Sequence, residues 1–465
     1  MKALIHSRLL RESLPALVFV LASATVVWQL GDRIPSALFT DSHAMNLWFQ
    51  ADSPRYFDNM VNRWSDHYRT KVHPLFSLLT FPPIRTLAAV FDLSLVEAVR
   101  WFTTLIASLW GLTLYALLRV VSGRPLDALL YATLTLFSSA ALFWLAIPET
   151  FPLGSISLLI PTLAVAAAGF SGLRLRTGHL IALGAVSLSV TVTNWMAGIL
   201  AALQARPWRE ALQISINAFF IVTLLWGVEK AVFPTAKYFL DIGEEKDYIL
   251  MSEAGGPQDK LRALLFHAVI MPTPEVKQEP SETAWALISV QKVSLGDTTL
   301  EGKAALFLWA LLLLAALWAL WYHRHSAFPQ FITLLLAAQL GLHLVYGDES
   351  FLYSLHVVPL LISAIAVLSR TQWRGMTLVG VALLIPLLAS NNLKQFEAAT
   401  VFAQTQIPQR DQVLHQMRLR PHAPWPRGRE HVVLALPGSR LPFKAYHEAG
   451  GPSARRWAVS AWPSG

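Results

Sequence analysis

The sequence predicts an all-α polytopic membrane protein, and three observations carry that expectation. Only 14% of the 465 residues are charged, against about 25% in soluble domains, too few to cover a water-facing surface. Hydrophobic residues make up 54%, and mean hydropathy is +0.46. Apolar runs of spanning length recur along most of the chain. The formal net charge of +8 then belongs to loops and anionic headgroups, not to nucleic acid. With no Cys in the chain, disulfides, thiolate catalysis and Cys-bound metal are excluded.

The elements follow in order. A basic N-terminal flank precedes an apolar run from Leu14 to Leu30. It reads as a retained first helix with its N-terminus inside. The alternative is a signal peptide, with "ASA" mimicking a cleavage site. Residues 32–94 form a first outer loop. Its segment 74–91 lies in the interface or re-enters, because "FPP" (Phe81 to Pro83) disrupts a helix. Spans follow at 95–118, 125–146 and 150–170, and 178–205 makes a hairpin turning at Asn194 and Trp195. After a span at 210–230 comes a large outer loop, 231–302. It joins a charged piece, "DIGEEKDYILMSEAGGPQDK", to "LRALLFHAVIMPTPEV", which reads as an amphipathic helix on the membrane ended by Pro272. Spans at 303–321, 327–345, 354–369 and 375–390 complete a transmembrane domain over 1–390. The tail 391–465 starts as a helix through about Arg418. Its "EHVVLALPG" reads as a strand and turn, and the whole as a small cap.

Arg-rich short loops set the sidedness: "RVVSGR", "LRLRTGH", "ARPWRE", "YHRH" and "SRTQWR". Placed in the cytoplasm, they give roughly eleven crossings, N-terminus inside and C-terminus outside. Every acidic or mixed polar cluster then falls on the outer face.

The densest of these clusters is "ADSPRYFDNMVNRWSDHYRTKVHPLFSLL", Ala51 to Leu79. In a helix, Asp52, Arg55 and Tyr56 share a face at i, i+3 and i+4. A carboxylate so placed can serve as a base; the plain alternative is a solvated salt bridge with an aromatic anchor. Asp58 lies six residues on and points elsewhere. Lys71 and His73 precede Pro74 and an apolar run, where a Lys meets a lipid phosphate or merely snorkels to headgroups. Glu149 sits between apolar runs, flanked by Pro148 and Pro152, a costly position unless paired or facing a polar cavity. "YGDESFLYSLHVVPLL" brings Asp348, Glu349, Tyr353 and His356 to another outer helix end, on neighbouring faces. A divalent metal stays open there, although no HExxH-like spacing occurs. A His–Tyr pair binding sugar or phosphate is the other reading, and an ordinary interface His the plain one. No Walker A, GxSxG or Rossmann fingerprint is present.

The order of these clusters resembles the GT-C superfamily of polyprenyl-phosphate-sugar-dependent glycosyltransferases, including lipid A aminoarabinose transferases and protein O-mannosyltransferases. "ADSPRY" matches their DExRY-like first-loop motif, and the Lys before "HPL" matches their KPPL or HPPL motif. The likeness covers about 45–160 and, loosely, 346–366. It implies a catalytic Asp52 with Arg55 and Tyr56 behind it, Lys71 on the donor phosphate, His73 in the HP turn and Glu149 as a second acid. Tyr56, Asp58, His73, Tyr353 and His356 fall to substrate binding. Ser53 replaces the second acid of the family's DE, and Thr70 stands where the aminoarabinose transferases carry Glu. Both departures weigh against a metal and against that particular enzyme.

The resemblance implies a bacterial inner-membrane enzyme that moves a sugar, with inversion, from a lipid-phosphate donor to a glycan, lipid or protein acceptor on the periplasmic side. The alternatives are an O-antigen-type polymerase or ligase, and a lipid-linked-sugar flippase or transporter, against which spans nearly free of charge weigh.

Overall fold

The computed structural model describes residues 2–241, 243–251, 254–278 and 285–419. Its helices are α1 Lys2–Arg33, α2 Ala37–Thr40, α3 Ser53–Val61, α4 Phe76–Phe91, α5 Leu95–Ser122, α6 Pro125–Leu136, α7 Ser139–Trp144 and α8 Phe151–Ser171. They continue as α9 Thr177–Val190, α10 Trp195–Ala205, α11 Trp208–Val232, α12 Pro257–Arg262, α13 Leu300–Tyr322, α14 Ala327–Val345, α15 Ser354–Ala366 and α16 Arg374–Leu419. Strands β1 Glu275–Gln278 and β2 Ala286–Ser289 pair antiparallel. Local signals set the boundaries. Ser94 and Glu97 form a capping box at the start of α5, and Gly123 ends it at φ 79°.

Among the described residues, eight helices are long and apolar enough to cross a membrane: Ser13–Arg33, Leu95–Ser122, Phe151–Ser171, Trp208–Val232, Leu300–Tyr322, Ala327–Val345, Ser350–Arg370 and Arg374–Arg410. The protein is an all-α polytopic membrane protein, and among the described residues the sheet is one short antiparallel strand pair. α15 runs through the centre, every residue from Ser354 to Ala366 buried. α5, α6, α8, α13 and α14 pack around that middle, α1 lies against α5 and α6, and Trp110, Trp144, Tyr131 and Trp309 are buried in the packed interior. Where the interface is tight the residues are small. A Cβ on Gly198 would come within 2.5 Å of the Gly184 Cα, so α9 and α10 meet backbone to backbone.

The bundle has two chemically different ends. At one, Arg370 reaches the carbonyls of Val120 and Val121 and lies over the Phe170 ring. Arg374 forks onto Asp127 at 2.7 Å per contact. Nearby, Arg206 holds the Leu175 carbonyl, and Gln204 that of Ala327. The Arg-rich turns therefore gather at a single end. The mixed acidic and basic clusters gather at the other.

Several expectations need correction. "FPP" does not break its segment: α4 runs through Pro82 and Pro83. Pro82 is exposed, and the first turn of α4 is tied down from α11, where Glu229 accepts from the Leu78 N–H at 2.8 Å. The 125–146 span is two pieces, α6 and α7, with the Ser138 side chain capping the second. The arms of the 178–205 hairpin, 14 and 11 residues, are each short of the roughly 20 that a full crossing takes.

The segment read as a membrane-surface helix is instead a buried plug. Its helix and π turn end at His267, and Ala263, Leu264, Ala268, Val269, Ile270 and Met271 are all buried. The N–H groups of Ser139 and Ala140 donate to its Val269 and Ala268 carbonyls. Asn392 holds it from α16 through Val269 and Met271. α16 passes unbroken through position 390 and on to Leu419. The strand expected in "EHVVLALPG" lies outside the described residues.

Candidate functional site

The first loop is built to present Asp52. Asn46, Phe49 and Gln50 all adopt left-handed backbone (φ 63°, 49° and 62°), which is costly for non-glycine residues. Burial holds them there: Trp48 and Phe49 are at most 1% exposed and pack against Phe143, Trp144, Phe351 and Phe396. The chain leaves this anchor into α3, with Asp52 at the N-cap position and Pro54 in the first turn. The Asp52 side chain makes no capping bond. It turns to two arginines instead.

Arg55 donates to Asp52 Oδ2 at 2.9 Å, and Arg69 donates to the same oxygen through Nε (3.2 Å) and Nη2 (2.7 Å). No donor among the described residues reaches Oδ1. Arg69 continues towards Glu245 Oε1, 3.6 Å from Nη1, and Lys71 Nζ lies 3.1 Å from the same atom. Lys71 is only 4% exposed, so it is not a snorkelling side chain. The Tyr68 ring sits among the three cations, 4.7 Å from Arg55, 5.3 Å from Arg69 and 4.9 Å from Lys71. Its hydroxyl accepts from Arg55 at 2.6 Å.

The loops that carry these residues are stitched together. His67 is wholly buried, held by the Ser77 and Ser65 hydroxyls. Thr235 bridges from Ser65 to the His67 N–H, and Thr70 pairs with Lys237. These contacts draw the 231–248 stretch onto the first loop and deliver Glu245. The Leu250 N–H then pairs with the Val345 carbonyl and the Gly347 N–H with that of Tyr248, which brings in Tyr346. The Tyr346 hydroxyl donates to Glu245 Oε2, and burial pushes its pKa up from the ordinary phenol value.

Glu149 closes the arrangement. It is 3% exposed, accepting from the Ser53 hydroxyl at 3.2 Å and its own neighbour's N–H, Thr150, at 3.3 Å. Burial, then the nearby Asp52 charge, pushes its pKa well above the usual carboxylate range. Asp348 is also pushed up by burial. Two kinds of carboxyl group thus adjoin: one ringed by guanidinium groups, the other with its pKa raised by burial.

The remaining expected residues are placed as follows. Tyr56 is buried, edge-on to His73 and Phe76. His73 Nδ1 pairs with the Val190 carbonyl at 2.9 Å, and burial pushes its pKa down to about 4, so it serves as a neutral tie to the α9–α10 hairpin. Asp58 is exposed on α3. Tyr353 stacks on His343, ring centroids 4.0 Å apart. His356 is buried beneath Gly154, and its Nε2 has no hydrogen-bond partner among the described residues. Asp348 and Glu349 part company: Glu349 turns to the Ser289 hydroxyl on β2.

Sequence reasoning did not single out Tyr68, Arg69, Glu245 or Tyr346 for roles. The charge-rich "DIGEEKDY" was the one visible signal for Glu245. Among the described residues, no three His, Asp or Glu side chains form a set that could hold a metal ion. No family model, curated protein or solved structure matches this chain.

Proposed function

We propose that the protein is an inverting glycosyltransferase that takes its sugar from a polyprenyl-phosphate donor at the polar end of the bundle. The observation that carries this reading is the Asp52–Arg69–Glu245–Lys71 chain of contacts, largely shielded from solvent at the polar end of the bundle. Arg55, Arg69 and Lys71 face Asp52 and Glu245, three cations against two carboxylates. Cations gathered in this way suit a phosphodiester, which carries one negative charge.

The chemistry follows from those groups. Asp52 Oδ1, with its partner oxygen already holding three donors, takes the proton from an acceptor hydroxyl. The hydroxyl oxygen attacks the anomeric carbon as the bond to the phosphate oxygen breaks, and the electron pair leaves with the phosphate. Lys71 and Arg69 meet the charge that grows there. A single displacement of this kind inverts the anomeric centre. Glu149, buried beside Ser53 with its pKa raised by burial, serves as the second acid of the site. The sidedness implied by the Arg-rich turns puts this end on the periplasmic face of a bacterial inner membrane.

The test is donor consumption by the purified full chain in proteoliposomes, offered a panel of polyprenyl-phosphate sugars and envelope extract as acceptor. Release of free polyprenyl phosphate, measured by mass spectrometry, is the expected result. Neither consumption nor saturable binding of any donor contradicts the reading.

A further inference from the structure

At the opposite end of the bundle, we propose a binding site for an anionic membrane lipid, with its headgroup phosphate among Arg174, Arg176, His179 and Arg206 and an acyl chain between α10 and α11. Two separate features support it. The first is a cleft of about 700 Å³ lined by those four side chains and by Leu173 and Leu175. It is preformed. Arg206 donates to the Ala205 and Leu175 carbonyls at 2.8 and 2.9 Å, which fixes the α8–α9 turn against the α10–α11 turn. The His179 Nδ1 accepts from the Arg176 N–H at 3.3 Å, leaving its other ring nitrogen for a ligand. Glu210 lies 3.7 Å from Arg206 and offsets part of its charge. Arg174 and Arg176 are exposed, with no acidic partner among the described residues.

The second feature is a groove of about 330 Å³ running from Trp208 and Leu203 past Ile199 and Leu212 to Trp195 and Ile216. Its hydroxyl, on Ser215, is already used on the Ala211 carbonyl, so apart from the Trp195 and Trp208 indoles the groove offers an entering group apolar surface. Arg206 lies in the chain between Leu203 and Trp208, which makes cleft and groove neighbours. A phosphate fits the cleft, but a free phosphate would leave the groove unused. A neutral lipid would fill the groove and leave the arginines unanswered. Only a molecule with an anionic head and an apolar chain satisfies both.

The test uses the full chain reconstituted in phosphatidylcholine vesicles doped with phosphatidylglycerol carrying brominated chains. The readout is quenching of the Trp208 signal, obtained by difference from Trp208→Phe. Brominated phosphatidylglycerol should quench more strongly than brominated phosphatidylcholine at equal fraction. R174Q/R176Q should weaken that preference by roughly fivefold per arginine at low salt. Millimolar inorganic phosphate should leave the quenching in place. Equal quenching by both lipids, a preference unchanged in R174Q/R176Q, or loss of quenching to inorganic phosphate would each overturn the proposal. None of these readouts depends on sugar transfer.

Discussion

Replacing Arg69 with Gln tests whether the charged cluster is a wired unit or a crowd of surface ions. Arg69 gives Asp52 Oδ2 two N–H groups, at 3.2 and 2.7 Å, and stands 3.6 Å from Glu245. The three side chains are only 17%, 13% and 9% exposed, so solvent screens them little. Removing one member of a buried pair costs about 3–5 kcal/mol when the other is left alone. Here neither is: Asp52 keeps Arg55, and Glu245 keeps Lys71. The expected loss for Arg69→Gln is therefore smaller, about 2–3 kcal/mol. In a double-mutant cycle with Asp52→Asn, the double variant should fall little below the worse single variant, with a coupling of about 2 kcal/mol. The assay is unfolding in mixed micelles titrated with dodecyl sulfate, alongside donor binding. Additive losses, or an Arg69→Gln effect within about 0.5 kcal/mol of zero, would refute the wiring.

Gly154→Ala should destabilise by about 1–3 kcal/mol, since its Cβ would sit 2.3 Å from His356 Nε2 on the central helix. Gly178→Ala, with nothing within 4 Å, is the control and should be neutral, both read as thermal midpoints. Glu349 has its pKa raised by burial from 4.5 to about 7. Its contribution to stability is full below pH 4.5 and lost as pH rises towards 7, about 3 kcal/mol in all. Glu349→Gln should flatten unfolding free energy across that window, and an unchanged slope would count against the assignment. Single Cys residues at Gly123, Arg176 and His325 should resist an impermeant thiol reagent in intact cells, whereas one at Gly255 should label. Labelling of the first three would reverse the sidedness.

Local spacing made part of the site legible. The Asp52–Arg55 pair follows from i, i+3 geometry in a short helix, and Glu149 from the cost of a carboxyl between apolar runs. Lys71 stood out by its place ahead of Pro74. Arg69 and Tyr68 were visible as residues but not as partners, because their roles depend on a loop folding back across the end of the bundle. Glu245 arrives through Thr70–Lys237 and Ser65–Thr235, contacts between segments far apart in sequence. The buried plug at 263–271 was misread because an apolar stripe has the same periodicity whether it meets lipid or protein. α4 was misread because the penalty of "FPP" was judged locally, without the tie from Glu229 that secures its first turn.

The central claim is that Asp52 removes a proton while the cations hold the donor. It is met most directly by Asp52→Asn in proteoliposomes, with donor binding and sugar transfer measured on the same preparation beside Asp58→Asn. The account predicts a folded protein that still binds donor, with transfer down by about 10²–10⁴-fold, and near-normal transfer in Asp58→Asn. Transfer at the wild-type rate in Asp52→Asn would contradict it.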